Sequence, residues 1–73
     1  MLGGDYAAAL KWYRLAADGG SGEALLNIAG MYWQGLGVAR DGSAARKWAA
    51  SAVAMGTSNA RAFLEEMERS GRP

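Results

Sequence analysis

The sequence contains no cysteine and no histidine. The missing cysteine excludes disulfides and thiolate metal ligands, and the missing histidine removes the commonest general base and the imidazole ligand. None of the five serines has an evident base partner; they are Ser21, Ser43, Ser51, Ser58 and Ser70. These absences predict a chain with no catalytic residues, no cofactor and no bound metal.

Proline occurs once, at the last position, so no predicted helix is interrupted. Eight basic and seven acidic residues give a net charge of +1, which favours neither a nucleic-acid nor a membrane partner. No apolar run is long enough to span a membrane, and the N-terminus lacks the basic and apolar parts of a signal peptide. We therefore expect a soluble chain, although these features do not identify its compartment.

What the sequence does contain is an internal repeat. Shifting the chain by 36 residues gives ten identities in 37 aligned pairs. They include Asp5 with Asp41, Lys11 with Lys47, Trp12 with Trp48, Gly20 with Gly56 and Met31 with Met67. Because Trp12 and Trp48 occupy equivalent positions on apolar faces, we expect both indoles to pack in the core.

The apolar spacing predicts four helices, each beginning near a capping residue and ending near a glycine. The first runs from Tyr6 to Asp18 behind the cap Asp5. The second opens at Ser21 or Gly20, the third behind Asp41, and the fourth at Thr57 or Ser58. The predicted inward faces, in helix order, are Ala9, Trp12, Tyr13 and Ala16; Ala24, Ile28, Met31 and Tyr32; Ala45, Trp48, Ala49 and Ala52; and Ala60, Phe63, Leu64 and Met67.

The loops between these helices are short, so successive helices should be antiparallel. We predict a single all-α domain that spans residues 1–73. It would contain a partial repeat at 1–20, a full repeat at 21–56 and a C-terminal capping helix at 57–73.

The motifs resemble the Sel-one-like repeat family, a relative of the tetratricopeptide solenoids. The corresponding residues of the full repeat, with Ala29 in place of the family's usual glycine, are Ala24, Ile28, Ala29, Met31, Tyr32, Gly35, Gly37, Val38, Asp41, Ala45, Trp48, Ala52 and Gly56. The resemblance implies an αα-superhelix and a non-catalytic adaptor that binds a protein or peptide. Glu65 and Glu68 replace the family's glycine and tyrosine, which suits a terminal capping helix.

One surface of the second helix is a candidate peptide-binding site, formed by Leu26, Asn27, Gly30, Trp33 and Gln34. Its apolar members lie opposite Ile28, where a surface helix is normally polar. In the favoured interpretation this ridge packs on the helix at 60–70 or on another copy. In the other, it is a groove where Trp33 supplies aromatic contact and the two amides hold a peptide backbone.

Four further alternatives remain. The face with Ala9, Trp12, Tyr13 and Ala16 is only partly covered within one chain, which suggests self-association into a homo-oligomer. The chain could instead be a structural fragment that associates only with itself or with its parent chain. Glu65, Glu66 and Glu68 are a conceivable weak cation site, but a solvated cap face is favoured. RNA binding is disfavoured, because the polar code and basic surface that it requires are missing.

Overall fold

The computed structural model describes residues 5–70, which form four α-helices in chain order. Helix α1 spans Tyr6–Asp18, α2 spans Gly22–Gln34, α3 spans Gly42–Ala54 and α4 spans Ala60–Ser70. Each helix packs on the next one along the chain, and the described residues include no strand. The all-α prediction is therefore confirmed. Residues 71–73 of the predicted capping segment lie outside the described part.

Side-chain caps fix the starts of the first three helices. Asp5, Ser21 and Asp41 each accept a hydrogen bond from the backbone N–H three residues along, over 3.3, 3.2 and 3.0 Å. Such bonds satisfy amides that would otherwise lack a partner in the first turn. The three predicted starts are confirmed.

The start of α4 differs from the prediction. The helix begins at Ala60, two to three residues later than expected, because the chain turns through Thr57 and Ser58 to Asn59. Asn59 has a φ of +69°, a left-handed conformation that does not continue a helix. The Thr57 N–H donates instead to the Ala52 carbonyl oxygen, over 3.1 Å.

Alanine dominates the core, with α3 at its centre. Ala45, Ala49 and Ala52 are fully buried, as predicted for the third helix. They belong to two clusters: Ala29, Ala45, Ala49 and Met67; and Leu25, Ala52 and Ala60. Leu25 and Ala29 were not in the predicted inward face of α2, but they are buried because α3 packs beside that stripe rather than directly over it.

The prediction that Trp12 is a core residue is wrong. Its side chain is 69% exposed, Ala16 is exposed, and Ala9 and Tyr13 are only half-buried. Trp48 is half-buried and stacks on the Tyr32 ring, with centroids 6.4 Å apart and planes inclined by 11°.

The difference between the two indoles follows from their neighbours. Helix α3 has α2 on one side and α4 on the other, whereas in residues 5–70 α2 is the one helix that packs extensively along α1. The face of α1 equivalent to the α2-facing side of α3 is therefore left open.

Within the described part of the chain, no helix is both long and apolar enough to cross a membrane.

The alanine core makes a testable prediction about side-chain size. Ala49→Leu should lower the free energy of unfolding by about 1–3 kcal/mol, because Ala49 is fully buried in the α3 core and has no room for a larger side chain. The neighbouring Ala50 is exposed, so Ala50→Leu should change it by no more than about 0.5 kcal/mol. Urea denaturation followed by circular dichroism measures the free energy of unfolding of both variants. Equal losses of stability would contradict the packing described.

Candidate functional site

A groove of about 430 Å³ runs along α2 between α1 and α4. Helix α2 forms its floor, α1 forms one wall, and α4 contributes an aromatic ring to the other. The lining residues are Tyr6, Ala9 and Tyr13 from α1, Leu26, Asn27, Gly30, Met31 and Gln34 from α2, Leu36 from the following loop, and Phe63 from α4. None of these side chains carries a charge.

The groove brings together four of the five residues in the predicted peptide-binding surface. They are Leu26, Asn27, Gly30 and Gln34. Trp33 lies apart from them, packed against the Ala29 and Ala49 cluster, with the Arg40 guanidinium 4.9 Å from its ring centroid. Trp33 therefore does not line this groove, and its role in peptide binding stays a prediction.

Helical geometry explains why Trp33 is separated from the groove. At about 100° per residue, Trp33 lies on one edge of the Leu26 stripe, whereas Asn27 and Gln34 lie on the other edge. The edge with the two amides faces the α1 side. The edge with Trp33 faces the core between α3 and α4.

Two residues of the ridge also contact the neighbouring repeat. A Cβ atom added at Gly30 would lie 3.9 Å from the Phe63 ring of α4, and Leu26 packs on the cluster that contains Ala60. For Leu26 and Gly30, both environments proposed in the sequence analysis are therefore present. They pack towards α4 on one side and line an open groove on the other.

Sequence reasoning did not place Tyr6, Leu36 or Phe63 at this site, and it assigned Tyr13 to self-association. Tyr6 and Tyr13 are seven residues apart, so they lie on one face of α1, and both line the groove. The seven-residue spacing of these two tyrosines was the sequence feature that could have placed them together at the groove. The contribution of Phe63 depends on how α4 packs, which the sequence pattern does not specify.

Arg14 ties α1 to the α2–α3 hairpin. Its Nη2 donates a hydrogen bond to the Tyr32 hydroxyl over 3.1 Å, and its guanidinium lies 5.7 Å from the centroid of the Trp48 ring. The planar guanidinium suits both contacts at once. This link holds the α1 wall beside the α2 floor.

The loop after α2 fixes the other end of the same wall. Gly37 has a φ of +75°, and a Cβ atom added there would lie 2.7 Å from the Tyr6 Cβ and 2.8 Å from the Tyr6 carbonyl carbon. The backbone of this loop therefore rests directly on the first turn of α1. Only glycine permits that approach.

The cation site considered at Glu65, Glu66 and Glu68 receives no support. Within residues 5–70, no group of three or more acidic side chains is placed to hold a metal ion. Glu66 lies 3.6 Å from Arg69 in an exposed ion pair one turn along α4. A pair of this kind contributes little to stability.

The loop contact gives a prediction about the groove wall. Gly37→Ala should cost more stability than Gly56→Ala, although both glycines have a φ of +75°. Nothing lies within 4 Å of a Cβ atom added at Gly56. That variant should therefore lose only about 1–2 kcal/mol of stability, because alanine disfavours a positive φ. Gly37→Ala should add about 1–3 kcal/mol to that loss, because the start of α1 must move.

Chemical denaturation measures the two costs, and the amide NMR shifts of Tyr6 and Ala7 report movement of the wall. Gly56→Ala should leave those shifts unchanged. If the two variants lose equal stability and the Tyr6 amide shift is unchanged in Gly37→Ala, the loop does not position α1.

The model of the Sel1 repeat family matches the chain twice, at residues 2–21 and 22–57. Together the two segments cover more than half of the 73 residues, and α4 lies outside both. The match confirms the resemblance inferred from the motifs. No curated protein and no solved structure matches the chain.

Proposed function

The chain belongs to the Sel1 repeat family, and on that basis we propose that it is an adaptor that binds an uncharged, extended peptide segment in the α1–α2–α4 groove. Proteins of this family are generally protein-interaction modules and typically have no catalytic activity. The observation that carries the proposal is the groove itself, in which apolar, aromatic and amide side chains meet without a charge.

The two amides suit an extended backbone. Asn27 and Gln34 are seven residues apart on one side of α2, which separates them by about 10.5 Å along the helix axis. An extended peptide rises about 3.3 Å per residue, so the two amides are separated by about the length of three peptide residues. Each amide has both a donor and an acceptor, and can therefore pair with a backbone N–H and C=O.

The walls suit apolar side chains of the peptide. Tyr6, Tyr13 and Phe63 offer ring faces, and Leu26 and Leu36 add aliphatic surface. Aromatic residues in partly closed grooves contribute much of the affinity in peptide recognition. We therefore expect the bound segment to carry one or two apolar or aromatic residues, and no charge, where it crosses α2.

The absence of charge in the lining predicts how binding responds to salt. Affinity held by apolar contact and neutral hydrogen bonds should change little with ionic strength, because screening acts on charges. A peptide clamped by surface lysines or carboxylates would instead lose affinity as salt is added.

Gly30 provides the sharpest test of the groove. Peptides are first selected on the 73-residue chain from a displayed random library, and their affinity is then measured by fluorescence anisotropy. Gly30→Leu should lower the affinity about tenfold or more, because the new side chain occupies the floor beside Phe63. Gly30→Ala should retain binding, since its Cβ makes an ordinary contact at 3.9 Å.

The same pair of variants separates lost binding from lost folding. Alanine in place of glycine inside a helix adds about 1 kcal/mol of stability, so Gly30→Ala should melt higher than the parent chain. Asn27→Ala and Gln34→Ala should each weaken binding several-fold. Selected peptides that bind Gly30→Leu as well as the parent, or whose affinity falls steeply with salt, would overturn the proposal, as would a library that yields no peptide.

A further inference from the structure

The outer side of α1, together with its C-terminal cap residue, carries an apolar seam, which we define as Ala8, Trp12, Leu15 and Gly19. These positions recur at i, i+4, i+7 and i+11, the spacing of residues along the contact line of paired helices. Trp12 is 69% and Leu15 57% exposed. Among the described residues, three of the four exposed large hydrophobic side chains lie on α1. No residue of α1 is buried.

Comparison with α3 shows that a helix packed on α1 as α2 packs on α3 would cover only part of this seam. The α3 equivalents of Trp12 and Leu15 are Trp48 and Ser51. Trp48 stacks on Tyr32 of α2, whereas Ser51 remains exposed although α2 is in place. A helix that packed on α1 as α2 packs on α3 would therefore cover Trp12 and leave Leu15 in water. Whatever covers both must lie further round α1.

Head-to-tail growth through α4 of another copy is also unfavourable. Leu25, Ala29 and Tyr32 are three residues of α2 that pack with side chains of α3. Their equivalents on α4, one repeat later, are all charged and exposed: Arg61, Glu65 and Glu68. Pressing these charges against Trp12 would bury them without partners, at a cost of several kcal/mol per ion. The apolar face of α1 therefore has no complement on α4 within Ala60–Ser70.

The charges beside the seam point to α1 itself as the partner. Lys11 and Asp18 are seven residues apart on one flank of the seam, and both are exposed. When two copies of such a helix pair antiparallel, Lys11 of each copy lies opposite Asp18 of the other. The opposite flank carries Ala16, which is exposed and permits a close approach. Parallel pairing would place Lys11 beside an alanine instead.

We propose that two copies of this chain form a closed two-fold dimer through antiparallel α1 helices. Trp12 of each copy packs on Leu15 of the other, and Lys11 of each pairs with Asp18 of the other. The same surface is used on both copies, so the contact closes and does not propagate. The arrangement also places a cation near Asp18, an acidic residue that the last turn of a lone helix disfavours.

The dimer leaves the groove accessible and does not depend on the proposed function. Tyr6, Tyr13 and Ala17 lie on the side of α1 that faces α2, whereas Trp12 and Leu15 lie on the side that faces away. Peptide binding and pairing can therefore fail separately, and each has its own readout.

Sedimentation equilibrium of the 73-residue chain, from micromolar to millimolar concentration, tests the pairing. A reversible monomer–dimer equilibrium is expected, with no larger species. Leu15→Ser, which installs the α3 residue, and Trp12→Ala should each raise the dimer Kd about tenfold or more, because each change acts twice across the two-fold axis. Met55→Ser is the matched control, since Met55 is 48% exposed at the C-terminal cap of α3 and its replacement should leave the Kd unchanged.

Charge reversal tests the antiparallel orientation. Lys11→Asp and Asp18→Lys should each raise the dimer Kd several-fold, because like charges then face each other twice. The double variant should recover the parent Kd. Circular dichroism confirms that each variant folds, and the substituted side chains are exposed in the monomer. A chain that stays monomeric, a series of growing oligomers, or a double variant no tighter than the single ones would overturn the proposal.

Discussion

The close approach of α3 to both of its neighbours is the constraint on which the rest of the structure depends. Ala45, Ala49 and Ala52 are fully buried, and each meets small or flexible residues of α2 and α4. A methyl group contributes little apolar area, so the stabilisation comes from bringing helix backbones together and covering them with larger residues. Trp33, Trp48 and Phe63 form that cover, half-buried around the alanines.

Distance from α3 determines how firmly each helix is held. Helix α4 contributes two buried residues, Ala60 and Met67, whereas α1 contributes none. A helix of this length is marginal by itself in water, so α1 depends on a few specific contacts. The Arg14 guanidinium and the loop at Gly37 supply two of them. The groove has one wall on this least buried helix, which is typical of binding elements.

Local features were predictable from the sequence, and features that depend on neighbours were not. A cap such as Asp41 acts on an amide three residues away, so its role is contained in a short stretch of sequence. Burial of Trp12 requires a second helix on a particular side of α1. The repeat makes Trp12 and Trp48 equivalent in sequence, but it does not make their surroundings equivalent. That is why the prediction held for one indole and failed for the other.

The candidate site shows the same division. The side chains that line the groove from α2 follow from helical spacing, so Leu26, Asn27, Gly30 and Gln34 could be grouped from the sequence. The direction in which this stripe faces depends on where α1 and α4 pack. That packing turns Trp33 towards the core and brings Phe63 to the groove. Neither outcome is encoded in the spacing of residues on one helix.

Helix α1 connects the two proposals physically, because the groove uses one of its sides and the pairing seam the other. A second copy packed on the outer side would hold α1 more firmly against α2, and would thereby order the wall that carries Tyr6 and Tyr13. Any free energy that pairing contributes to this ordering appears as tighter peptide binding, and the effect is reciprocal. The size of this coupling is limited by how far α1 moves in the unpaired chain.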